Sequence, residues 1–208
     1  EVILGGDFDA YREKIDHYSA KGCRVLLLAL YDGQLTDEAL TAERLPISLI
    51  LLSNKIRAEA PDTFAWFARE GVSVRVISGD NPLTVSEVAR RAGIPDADRA
   101  VDARTLETAE QVEKAARECV VFGRVTPEMK RRLVLALKKQ GHTVAMTGDG
   151  VNDVLALKEA DCSIAVASGS DVACQVSQIV LTDSNFASLP DVVAEGRRVI
   201  NNIERSAS

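Results

Sequence analysis

The 208-residue chain lacks several things, and each absence narrows what it can do. It has no basic excess: 31 acidic residues against 25 basic ones leave a net charge of −6, which argues against a nucleic-acid-binding domain. Its four cysteines, Cys23, Cys119, Cys162 and Cys174, show no CxxC spacing, and each sits in or beside an apolar run. Free buried thiols in a reducing cytosol are therefore expected, not a metal centre or disulfides. Long hydrophobic runs are missing too. The longest, Cys23 to Tyr31 and Leu45 to Leu52, are far too short to span a bilayer, and no signal peptide is visible. A hydrophobic content of 46% with mean hydropathy near zero predicts a soluble globular protein. The length suits one full domain with part of a second.

What is present is alternation. Helical patterns at 7–20, 60–70, 82–92, 127–140, 152–160 and 186–204 are interleaved with short apolar runs at 23–31, 47–52, 72–77, 119–122, 143–146, 163–166 and 178–181. The run ISLILL (47–52) reads as a strand buried on both faces. Helices between short apolar strands predict βαβ units, hence an α/β fold with a Rossmann-like parallel sheet covered on both faces. In such sheets ligands bind beyond the carboxyl ends of the strands.

Those ends carry chemistry. The run 72–77 leads into Ser78-Gly79-Asp80-Asn81, and 119–122 leads into Gly123-Arg124-Val125-Thr126-Pro127, with Lys130 in the next helical turn. The run 143–146 leads into Thr147-Gly148-Asp149-Gly150-Val151-Asn152-Asp153. Asp149 and Asp153, four residues apart on a glycine-rich turn, suit Mg²⁺, which takes one or two carboxylates with waters and phosphate oxygens. Gly148 and Gly150 are expected to let the backbone approach a ligand, and the helix N-terminus behind them favours negative charge. A hydroxyl (Ser78), a guanidinium (Arg124), an ammonium (Lys130) and two carboxylates on one edge suit a phosphoryl group with Mg²⁺. Singly, each has a plainer explanation. Lys130 belongs to a basic helix that would ordinarily be a solvated face, Ser78 could cap a helix, and Arg124 could be a surface arginine. It is their shared edge that favours a site.

The strings VISGDN (76–81), VFGRVTPEMK (121–130) and AMTGDGVNDVLALKEADCSIAVASGSDVA (145–173), with GRRVINNI near the C-terminus, resemble the haloacid-dehalogenase-like phosphotransferases, and among them the P-type cation-transporting ATPases. The resemblance covers nearly the whole chain. It implies an ATP-driven pump in which an aspartate takes the γ-phosphate of ATP, with Mg²⁺ and ATP as cofactors. Carried over motif by motif, Asp149 is implied as the Mg²⁺ ligand with Asp153 supporting the site, and Lys130 as the phosphoryl contact. Ser78, Gly79, Asp80 and Asn152 are implied to hold phosphate oxygens, and Arg124 to face the phosphate end of the nucleotide. GCRVLLLA (22–29) resembles the end of a nucleotide-binding domain, where Arg24 approaches the nucleotide. Asn54-Lys55-Ile56-Arg57 resembles an interdomain hinge, with Arg57 as a further nucleotide contact.

The departures from the family are specific. No DKTGT string occurs, so the phosphorylated aspartate is absent from this sequence, as are the actuator loop and every membrane helix. Ser78 stands where threonine is usual, and Asn54 where the hinge usually has aspartate. Cys162 and Ser163 stand where valine and glycine are more common. The resemblance thus implies a cytoplasmic piece of a multi-pass membrane pump. Residues 1–54 would be the end of the nucleotide-binding domain, 55–198 a phosphorylation domain lacking its first, central strand, and 199–208 the start of a stalk. Its partners would be ATP, the rest of the same pump and a transported cation. The AVASGSDVA and QIVLTDSNFASL wording resembles a bacterial subgroup associated with calcium or other divalent cations.

Two other readings stand beside it. Asp7-Phe8-Asp9 after Val2-Ile3-Leu4 superficially matches the DxD start of a stand-alone phosphatase. However, Gly5 and Gly6 intervene, and Tyr11 occupies the position expected for threonine or valine. The stretch is better explained as an acidic start to an amphipathic helix with Ile15 and Tyr18 inward. The other reading is a phosphate- or nucleotide-binding module without chemistry.

Overall fold

A computed structural model describes residues 8–33, 42, 44–53 and 55–207. Asp7 and Asn54, weighed above as nucleophile and hinge residue, lie outside the described residues. Eight α-helices are described: α1 (Phe8–Ser19), α2 (Ala60–Arg69), α3 (Pro82–Arg91), α4 (Ala109–Glu118), α5 (Pro127–Lys139), α6 (Val154–Glu159), α7 (Asp171–Val176) and α8 (Leu189–Ala207). The strands are β1 (Cys23–Tyr31), β2 (Arg44–Ser53), β3 (Val76–Ile77), β4 (Ala100–Asp102), β5 (Val121–Gly123), β6 (Ala145–Gly148), β7 (Cys162–Val166) and β8 (Ile179–Leu181).

Local chemistry fixes the helix starts that flank the strand ends. Asn81 accepts from the Leu83 N–H and Thr126 from the Met129 N–H; in each case proline is the first helical residue, where its missing donor costs nothing. Helix α4 opens on a capping box, the Thr108 hydroxyl taking the Gln111 N–H while the Gln111 side chain takes the Thr108 N–H.

The α/β expectation holds, in the form of two three-stranded parallel sheets, ordered β3-β5-β4 and β6-β7-β8. Alternate residues of the central strand β5 feed opposite layers. Val121 packs with Val85 and Ala89 of α3, and Phe122 with Val112 and Ala116 of α4 and Leu133 of α5. In the second sheet, Ala165 packs with Val134 of α5 and Leu157 of α6, and its neighbour Ile164 packs with Phe67 of α2 and Leu189 of α8. Helices α2 and α5 therefore contribute to the cores of both sheets, one on each face. Among the described residues no strand pairs with the outer side of β3 or of β6.

Three expectations change. The run 47–52 is not a strand buried on both faces. It lies in β2, antiparallel to β1 in a two-stranded ribbon, and Leu30, Leu45 and Ile47 are each more than half exposed. An unbroken apolar run is equally consistent with a ribbon that has one uncovered face. The run 72–77 yields only a two-residue strand. Between 94 and 118, where no element was read, the chain forms β4, a 3-10 turn at Ala103–Thr105 and α4.

Leu133, 1% exposed at the junction of α4 and α5, gives a direct test of this core. Leu133→Ala is expected to cost about 2–5 kcal/mol. On the same helix Leu135→Ala, at a residue 37% exposed, should cost far less. Urea midpoints of the two variants check the ordering.

Candidate active site

After β6 the chain passes through Gly148, Asp149 and Gly150 into a 3-10 turn, Val151–Asp153, and then α6. This turn carries Asp153 back beneath the strand end. One of its oxygens, Oδ1, lies 2.7 Å from Lys130 Nζ; the other accepts from the N–H groups of Asp149 (3.3 Å) and Gly150 (3.1 Å). The two side chains are only 13% (Lys130) and 9% (Asp153) exposed. A buried carboxylate is costly unless paired and hydrogen-bonded, and this one has three donors. Gly148 is what allows the fit, because a Cβ there would sit 2.5 Å from the Asp153 Cβ. The space expected to admit a ligand is thus filled by Asp153 itself, while Gly150 contributes an N–H.

Asp149 is the opposite case. It is exposed, and among the described residues its carboxylate has no hydrogen-bond or ion-pair partner. Its backbone is nonetheless fixed, since the Asp149 carbonyl accepts from the Ser170 N–H at 2.7 Å, tying the loop to the cap of α7. Asn152 is exposed beside it.

The second half of the site lies beyond β3 and β5. The Ser78 hydroxyl oxygen accepts from the Asp80 N–H at 3.2 Å, leaving its proton to donate. The Ser78 and Asp80 carbonyls accept from the N–H groups of Val125 (3.0 Å) and Arg124 (2.8 Å), stitching the two loops together. The approach is close: a Cβ on Gly123 would lie 2.5 Å from the backbone of Pro82. Arg124 has φ 53°, a left-handed conformation uncommon outside glycine. Its Nε is 3.8 Å from Asp102 Oδ2, and Arg24 Nε is 3.4 Å from Asp80 Oδ1. Gly79, between Ser78 and Asp80, is exposed.

Asp102 and Arg104 were missed by sequence reading. Arg104 donates to Asp102 through Nε (3.1 Å to Oδ1), a terminal nitrogen (2.9 Å to Oδ2) and its backbone N–H (3.0 Å). Burial pushes the Asp102 carboxyl up, but these hydrogen bonds and the Arg104 and Arg124 charges outweigh it and hold the group below the usual carboxylate range. The capping box at Thr108 was the sequence signal that could have exposed the element order around them.

The structure thus places Lys130, Asp153 and Asp149 in one group, and Ser78, Asp80, Arg124 and Arg24 in another. The start of α5 joins them, because Val125 bonds to Ser78 and Lys130, just after it in sequence, meets Asp153. Arg57 joins neither group; it is exposed, and near it the Ser188 hydroxyl, then the Asn185 N–H and least the Arg57 charge hold the Asp183 carboxyl below the usual range. No cluster of three or more His, Cys, Asp or Glu suited to a metal occurs among the described residues. That donor-poor setting does not fit a protein-only cage for Ca²⁺ or Zn²⁺. It fits Mg²⁺, which needs one free carboxylate when phosphate and water supply the rest.

A family model described as haloacid dehalogenase-like hydrolase matches residues 5–161. The calcium-transporting ATPase CtpE of Mycolicibacterium smegmatis is 49% identical over 194 residues, covering 93% of this chain and 24% of the relative. The probable cation-transporting ATPase exp7 of Streptococcus pneumoniae is 40% identical over 209 residues, covering 100% of this chain and 26% of the relative. The chain therefore spans about a quarter of the length of these curated relatives. Among solved structures, a zinc-transporting PIB-type ATPase in its E2.Pi state aligns with a TM-score of 0.63 at 25% identity, over 95% of this chain and 26% of that one. The chain belongs to the haloacid dehalogenase-like hydrolases, and its relatives among them are P-type cation-transporting ATPases.

Proposed function

We propose that this chain is the phosphorylation-domain portion of an ATP-driven cation pump that works through an aspartyl phosphate, the acceptor aspartate being supplied by sequence outside it. The observation that carries this reading is the Lys130–Asp153 pair at 2.7 Å beside the unpartnered Asp149 carboxylate. Lys130 is held where its ammonium neutralises a phosphoryl oxygen, and Asp153 is the group that holds it there. Asp149 would hold Mg²⁺, which when bound would supply charge neutralisation at the transferring phosphoryl group. Ser78 donates its hydroxyl proton to a phosphate oxygen, Gly79, Asp80 and Asn152 shape the loops around it, and Arg124 and Arg24 face the nucleotide.

Residues 1–54 are read as the end of the nucleotide-binding domain, 55–198 as the phosphorylation domain, and 199–208 as the start of a stalk. The edges of β3 and β6, unpaired among the described residues, support the reading of a central strand supplied from outside this chain. The exposed leucines of the β1–β2 ribbon support its being one part of a larger domain, since two strands alone are marginally stable in water. No helix among the described residues is long and apolar enough to cross a membrane. On this reading the membrane-embedded and ion-selective parts are assigned to the rest of the pump. The names of the relatives favour a divalent cation such as Ca²⁺ as cargo.

In the full-length protein, Asp149→Ala is expected to abolish phosphoenzyme formation from labelled ATP; undiminished labelling refutes the assignment. The isolated chain, lacking its nucleophile, is expected to give no turnover of p-nitrophenyl phosphate with Mg²⁺. Turnover that disappears in Asp7→Asn would replace this reading with a free-standing phosphatase. Sedimentation should show the isolated chain self-associating through its open edges, and a stable monomer would count against a missing central strand.

A further inference from the structure

The geometry points to Asp102 as a positioning residue that holds the Arg124 guanidinium at the carboxyl edge of the β3-β5-β4 sheet; this rests on the reading of Arg124 as a contact of the nucleotide phosphates. Asp102 ends β4 directly opposite Gly123, the last residue of β5, so the strand register delivers its carboxylate to the neighbourhood of Arg124. Both side chains are only 24% exposed, which separates the pair from ordinary surface ion pairs of little consequence.

The carboxylate is itself held by several donors. The Arg104 fork reaches both of its oxygens, and the Arg104 N–H caps onto Oδ1 at 3.0 Å. Such bidentate pairing fixes the plane of a carboxylate as well as its place. Arg124 needs such an anchor. Its backbone is set by the left-handed φ of 53° and by its N–H bond to the Asp80 carbonyl, but a long side chain on that backbone has many rotamers. A fixed anion 3.8 Å from Nε selects among them, and at that separation an entering phosphate can still compete for the guanidinium.

The test uses the full-length protein and the ATP concentration giving half-maximal phosphoenzyme. Asp102→Asn, which keeps an oxygen to cap the 3-10 turn, is expected to raise that concentration roughly three- to tenfold, and Arg124→Ala at least as much. The double variant should be no worse than Arg124→Ala alone, and Asp102→Glu should recover part of the loss. If Arg124→Ala raises the value while Asp102→Asn does not, or if the two effects multiply in the double variant, the positioning role is overturned and the reading of Arg124 stands. An Asp102→Asn protein that forms no phosphoenzyme at any ATP concentration also overturns it, because the residue is then structural. If Arg124→Ala leaves the value unchanged, Arg124 is not a nucleotide contact and the role of Asp102 falls with it.

Discussion

The site depends on one ion pair. Lys130 enters from the first turn of α5 and Asp153 from the end of the 3-10 turn after β6, and they meet out of water at 2.7 Å. Removing one partner of a buried pair costs about 3–5 kcal/mol, because the survivor is left charged and desolvated. Here the cost to Asp153 is lowered by the two N–H groups it also receives from Asp149 and Gly150. The same bonds tighten the loop that presents Asp149. A single carboxylate thus orients the cation of the site, closes the loop and leaves the neighbouring acid free. That division of labour explains why two aspartates four residues apart end in opposite environments, one buried and one exposed.

Much of this was legible in the sequence because the relevant signals are local. Thr126-Pro127 and Asn81-Pro82 announce helix starts, and the short apolar runs before SGDN and TGDG announce the strands that end there. The rule that ligands gather at the carboxyl ends of parallel strands puts Ser78, Lys130 and Asp149 on one edge. In the structure Ser78 follows β3 of one sheet and Asp149 follows β6 of the other, with Lys130 on α5, which packs into both cores. What could not be read is what depends on packing across the chain. The use of Gly148 as room for Asp153 requires knowing that the turn folds back under the strand. Asp102 and Arg104 gain their meaning only from the pairing of β4 with β5. The exposed ribbon was misjudged because hydrophobicity records what a segment tolerates, not whether a partner covers it.

The two parallel sheets share no backbone hydrogen bond among the described residues and are joined through the side chains of α2 and α5. Backbone ladders resist sliding because displacement breaks bonds in a row; packed side chains yield by small rotations at lower cost. One sheet presents the hydroxyl and guanidinium, the other the free acid, with the ammonium on the helix that straddles them. The spacing between the two strand-end loops is consequently governed by the seating of two helices, not by a continuous ladder.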